Sequence, residues 1–141
     1  MKILTAAEMR EVDERTMARG IPGIVLMENA GAAVVRYLEQ HCAPLVSHRI
    51  VILCGKGNNG GDGFVIARQL FQRRLGAELT VVERFPNEEL KGDAALARGM
   101  LDAIGCPVSR EIPEPAFGAT LLIDAILGTG VQGAASGRAL E

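Results

Sequence analysis

Residues 50–63 read Ile50-Val51-Ile52-Leu53-Cys54-Gly55-Lys56-Gly57-Asn58-Asn59-Gly60-Gly61-Asp62-Gly63. The apolar, mostly β-branched run that opens this stretch is what a strand covered on both faces requires. A glycine-rich loop follows at 55–63. Then Phe64, Ile66, Ala67, Leu70, Phe71 and Leu75 recur at helical spacing as far as Gly76. Strand, glycine-rich loop and helix in that order open a βαβ unit.

The same alternation continues downstream. Leu79-Thr80-Val81-Val82 reads as a strand, Pro86-Asn87 as a loop, and residues 90–104 as a helix stopped by Gly105. Pro107-Val108 allows at most a short strand, and the prolines between Glu111 and Gly118 mark a loop. Leu121-Leu122-Ile123-Asp124-Ala125 is a strand that closes on an acid, and a second glycine-rich loop runs from Gly128 to Gly137. Upstream, Thr5 and Glu8 form a capping-box pattern that starts a helix over 6–18. Gly20-Ile21-Pro22-Gly23 breaks it, and a second helix, apolar on nearly every side except at Glu28-Asn29, spans 24–40. These elements predict an α/β fold: a Rossmann-like, mainly parallel sheet ordered 3-2-1-4 in a three-layer αβα sandwich, with helices on both faces. One domain accounts for residues 1–141. Four strands with a terminal glycine loop lead us to expect a domain incomplete at its C-terminal end; whether Leu140-Glu141 is native is left open.

Composition narrows the function. The 15 Lys and Arg residues are scattered and the net charge is −2, which argues against nucleic acid and against a polybasic membrane contact. No apolar run is long enough for a membrane span, and the N-terminus lacks the features of a secretory signal, so a cytoplasmic protein is expected. Cys42, Cys54 and Cys106 form no CxxC pair, and buried reduced thiols are expected. His41 and His48 have no nucleophile nearby and read as surface histidines.

Gly55, Gly57 and Gly60 satisfy GxGxxG between a strand and a helix, which permits a tight turn and close approach of backbone N–H groups to a phosphate. No Gly-Lys-Ser/Thr follows Gly60, so a P-loop is excluded. Asp62 is read at the helix start, where its carboxylate would repel the pyrophosphate of an ordinary dehydrogenase; alternatively it is simply the N-cap of a tight turn. Asp124 closes an apolar strand, where an acid is costly to bury unless paired or bound to a cation. In a 3-2-1-4 sheet strands one and four are neighbours, and ligands bind where their outgoing loops part. Asn59 and Asp124 would face each other there, with oxygens suited to a hard cation, while Gly128-Thr129-Gly130 would offer N–H groups to a phosphate. The alternative for Asp124 is a cap on the following turn. A dehydrogenase reading would use Glu83, just past the second strand, on a ribose hydroxyl; otherwise Glu83 lies on the surface.

Gly57-Asn58-Asn59-Gly60-Gly61-Asp62-Gly63 and Asp124-Ala125-Ile126-Leu127-Gly128-Thr129-Gly130, with Met27-Glu28-Asn29-Ala30-Gly31, resemble the paired signatures of the YjeF N-terminal domain family across the whole chain. The resemblance implies an NAD(P)H-hydrate epimerase, an isomerase of nicotinamide nucleotide repair. Its substrates would be hydrated NADH and NADPH. It implies ligand contacts at Asn58, Asn59, Gly60, Gly61 and Asp62, and at Gly128, Thr129, Gly130, Val131, Gln132, Gly133 and Ala134. It also implies a potassium ion on Asn59 and Asp124, a homodimer, and an ATP- or ADP-dependent NAD(P)H-hydrate dehydratase as a fused or separate partner. The stretch from Val131 to Gly137 lacks the proline common in the family. The family's further acidic residue, our first choice for the acid–base role, and a further potassium ligand would fall past residue 141; Asp62 is the second choice. The same domain also occurs as a non-catalytic dimerising scaffold, in which the loop residues need not be intact, and Glu28-Asn29 could serve a dimer contact, a site wall or a plain surface pair.

Overall fold

A computed structural model describes residues 4–129. Helix α1 (Ala6–Ala18) begins with the expected capping box: the Thr5 hydroxyl accepts from the Glu8 N–H, and the Glu8 carboxylate accepts from the Thr5 N–H. Helix α2 is Gly23–His41, strand β1 Arg49–Cys54 and helix α3 Asn58–Gln72. Strand β2 (Glu78–Glu83), helix α4 (Gly92–Ala103), strand β3 (Val108–Ser109) and strand β4 (Leu121–Ala125) complete the described chain. The sheet is parallel throughout and ordered β3-β2-β1-β4, as the sequence predicts.

Connection chemistry explains the layers. The crossovers β1-α3-β2 and β2-α4-β3 step in the same direction, and right-handed crossovers then place both helices on one face. Ile50, Ile52 and Cys54 of β1 and Val81 of β2 point to that face and share a core with Phe64, Leu70, Ala94, Ala97 and Leu101. Helix α2 adds Met27, Val35 and Leu38 to the same core by packing on α3 and α4. The core is aliphatic apart from Phe64, which is fully buried.

The opposite face carries Val51, Leu53, Val82, Leu122 and Asp124. Helices on both faces were expected, but α2, α3 and α4 all join the core on the first face. The return from β3 to β4 holds only a 3-10 turn, Glu114–Gly118, and Leu122 is left 59% exposed.

The helix read up to Gly76 ends at Gln72. Arg74 takes the left-handed conformation (φ 52°), and the Leu75 N–H bonds back to the Leu70 carbonyl, a Schellman-like closure on a non-glycine residue. Replacing Phe64 with Ala should cost about 3–5 kcal/mol, read from urea unfolding of the full chain. A loss below about 1 kcal/mol would show that Phe64 does not organise the core.

Candidate functional site

The first glycine loop is shorter than its sequence suggests. Helix α3 starts at Asn58, with Gly57 as an extended N-cap and no side chain capping the end. Two close approaches permit this early start. A Cβ on Gly60 would stand 1.7 Å from the Gly55 carbonyl oxygen, and one on Gly63 would stand 2.8 Å from Cys54 Sγ and from Ala125 Cβ. Gly60 thus lets the helix turn directly beneath the strand end, and Gly63 lets it lie on the sheet. The N–H groups of Asn58, Asn59 and Gly60 form an uncapped first turn, the end of a helix that favours anions. A Cβ on Gly57 would meet nothing within 4 Å, so the loop is open on that side.

This geometry corrects the reading of Asp62. It lies in the second turn, not at the helix start, and is neither an N-cap nor a screen against phosphate. Asp13 of α1 is its charged neighbour. Burial first, and Asp13 second, push its carboxyl up to about 6.

Asp124 is also placed differently. It is exposed rather than buried, because among the described residues β4 lies at the sheet edge and the side chain points to the face away from α3. Its Oδ1 accepts from the Ile126 N–H at 3.0 Å, the cap on the following turn. Asn59 braces the same turn from the other side, its Nδ2 donating to the Leu127 carbonyl at 3.1 Å. Beneath them the Gly55 N–H donates to the Ala125 carbonyl at 3.0 Å, and a Cβ on Gly55 would stand 2.0 Å from the Ile126 carbonyl oxygen. The two glycine loops are therefore joined at their roots, and Asn59 and Asp124 both attach to residues 126–127. Gly128 rests on Asn59, its hypothetical Cβ 3.0 Å from the Asn59 Cβ. Gly128 and Thr129 are exposed at the rim. Gly130, Val131, Gln132, Gly133 and Ala134 lie outside the described residues.

Glu83 is neither a ribose ligand nor a surface residue. It is 1% exposed, and Arg98 Nε donates to its Oε2 at 2.5 Å, with Arg110 Nη2 at 3.6 Å from Oε1. The alternation of β2 puts Glu83 beside Cys54 on the covered face, where an acid requires a partner. Lys56 turns away from the helix end, its Nζ 3.2 Å from Glu89 Oε2 and 5.6 Å from the centroid of the Phe85 ring. Glu28 receives two bonds from Arg68 at 2.5 and 2.7 Å. That pair lines a largely apolar groove of about 570 Å³ between α2, α3 and α4, away from the glycine loops. Asn29 is exposed beside it. His41 is exposed and stacked on Tyr37, and His48 is half-buried and bonded to Thr120. Cys54 and Cys106 are buried and Cys42 half-buried; all are free thiols, and burial pushes the Cys54 and Cys106 thiols up.

Sequence reasoning missed α1 as part of this region. Arg10 Nη1 lies 3.5 Å from the Thr129 carbonyl, and Asp13 neighbours Asp62. The signal was present in the periodicity: Asp13 falls on the same side of the helix as Met9, Val12 and Thr16.

Comparison with known proteins decides the family. The family described as YjeF-related protein N-terminus matches residues 23–141. The chain belongs to it. Among YjeF-related relatives, the chain is 43% identical over 138 residues to the bifunctional NAD(P)H-hydrate repair enzyme Nnr of Thermanaerovibrio acidaminovorans, a match covering 93% of this chain and 26% of that protein. It is 38% identical over 143 residues to the NAD(P)H-hydrate epimerase of Rhodopirellula baltica, covering 98% of this chain and 57% of that one. The chain thus spans about a quarter of the bifunctional relative and somewhat over half of the epimerase. The crystal structure of the yeast protein YNL200c superposes with a TM-score of 0.83 at 22% identity, over 99% of this chain and 62% of that one, which confirms the α/β fold of this YjeF-related chain. No helix among the described residues is long and apolar enough to cross a membrane.

The raised carboxyl of Asp62 has a defined consequence for stability. The folded state holds its proton to about pH 6, whereas an unfolded aspartate releases it near 3.8. The folded state therefore binds the extra proton in that window, and stability falls as pH rises through it. Asp62→Asn should raise the melting temperature at pH 8, with the gain shrinking towards pH 4. A gain independent of pH would contradict this.

Proposed function

We propose that this YjeF-related chain carries NAD(P)H-hydrate epimerase activity, interconverting the R and S forms of hydrated NADH and NADPH. The observation that carries the reading is the joined pair of glycine loops, with Asn59 on the Leu127 carbonyl and an uncapped α3 N-terminus beside them. Family membership and the names of the relatives support it. The dehydrogenase alternative loses its ribose ligand to Arg98. The intact glycines and the Asn59–Asp124 pair favour an enzyme over a scaffold.

In a nicotinamide hydrate a hydroxyl stands on a ring carbon next to nitrogen. The nitrogen lone pair can expel it once it is protonated, leaving an iminium-like cation, and water returning to the other face gives the other epimer. The protein must supply an acid, donors for the phosphates and negative charge near the cation. The first turn of α3 and residues 128–129 offer the phosphate donors. Asp62 is the described carboxyl fit to hold a proton near neutral pH, because burial and Asp13 oppose its ionisation. Our first choice for the acid step is the family's further acidic residue, with Asp62 as the second choice.

A potassium ion held by these residues would take the oxygens that their hydrogen bonds leave over. Asn59 spends its amide nitrogen on Leu127, which leaves Oδ1 for a cation, and Asp124 spends Oδ1 on Ile126, which leaves Oδ2. Such an ion would neutralise Asp124 and favour phosphate nearby. The same reading includes a dehydratase partner, fused or separate, and a homodimer.

Epimer exchange of NADPH hydrate, followed chromatographically with the full chain in potassium buffer, tests this reading. The account expects exchange well above the uncatalysed rate, about a tenfold or greater loss in Asp124→Ala, and a matching loss when potassium is replaced by a bulky organic cation. Full activity in Asp124→Ala would remove the cation site, and no exchange by the full-length protein, with the family's further acidic residue present, would remove the epimerase reading.

A further inference from the structure

Helix α1 has a regular capping box yet buries none of its residues, and its apolar side chains Met9, Val12 and Met17 remain 43–48% exposed. Core packing therefore does not explain its position. It packs on α2, and Arg10 reaches across to the Thr129 carbonyl on the second glycine loop.

Arg10 is set apart by its place beside the second glycine loop. Arg15, Arg68, Arg73 and Arg98 are each held by a carboxylate, on Glu11, Glu28, Glu39 and Glu83 respectively. Arg10 has no such partner among the described residues. Its one hydrogen bond there is the long contact to Thr129, which uses one of five donors. A guanidinium with unspent donors, set beside the exposed backbone of a glycine-rich loop, has the shape and charge to take two phosphate oxygens at once.

We propose that Arg10 is a binding residue of the site, donating to a phosphate group of the dinucleotide at the Gly128-Thr129 rim. The inference rests on the epimerase reading above, because that reading supplies the phosphate. Helix α1 is then the third wall of the crevice. Arg10 holds the ligand against the second loop.

The experiment compares the full-length parent with Arg10→Ala and Arg10→Lys, reading the KM for NADPH hydrate and the affinity for NADP⁺, an unreactive dinucleotide, by titration calorimetry at low and high salt. Losing a charge-assisted bond to phosphate should raise KM and weaken NADP⁺ binding about tenfold, by more than kcat falls. Arg10→Lys should recover part of the affinity through its point charge, and Arg10→Ala should bind with a shallower salt dependence. Unchanged melting in both variants keeps the effect local, as the exposure of α1 requires. Wild-type KM, affinity and salt dependence in Arg10→Ala would overturn the proposal and leave the epimerase reading standing. A parent chain that neither exchanges epimers nor binds NADP⁺ would overturn that reading first.

Discussion

The side-chain amide of Asn59, donating to the Leu127 carbonyl, ties the first turn of α3 to the turn leaving β4. It works only because Gly55 carries no side chain: a Cβ there would collide with the Ile126 carbonyl and force the two strand exits apart. Gly60 satisfies a similar constraint on the other side, beneath the Gly55 carbonyl. Three backbones therefore meet at one point. The uncapped end of α3 and the exposed rim at 128–129 are joined there by ordinary hydrogen bonds.

The sheet order and the element boundaries within it could be read from the sequence because strands and helices differ in period, and because glycines and prolines punctuate them. The glycine loop resisted that reading. GxGxxG suggests a loop through residue 63, whereas the glycines serve packing and the helix begins at Asn58. Small residues can mark either an irregular segment or a helix pressed against backbone, and spacing does not tell these apart. Asp124 illustrates a second limit. An acid ending an apolar strand was read as buried, but burial depends on which strand lies at the sheet edge and on what covers each face.

Glu83 shows the opposite failure. Its spacing from the glycine loop suits a ribose ligand, yet the alternation of β2 turns it inward, where Arg98 neutralises it. A buried carboxylate and guanidinium of this kind would be costly to separate, so the end of β2 is closed to a nucleotide ribose. The recognition surface proposed for this YjeF-related chain is displaced towards β1, β4 and α1. That displacement, rather than the glycine motif it shares with dinucleotide-binding folds, separates it from a dehydrogenase.

Hydrogen exchange with mass spectrometry, on the full chain with and without NADP⁺, tests most directly whether the joined loops receive a dinucleotide. Binding across both should slow exchange together in residues 57–62 and 126–129, while β2 at Glu83 stays unchanged. Protection confined to one loop, or centred on the end of β2, would contradict the account.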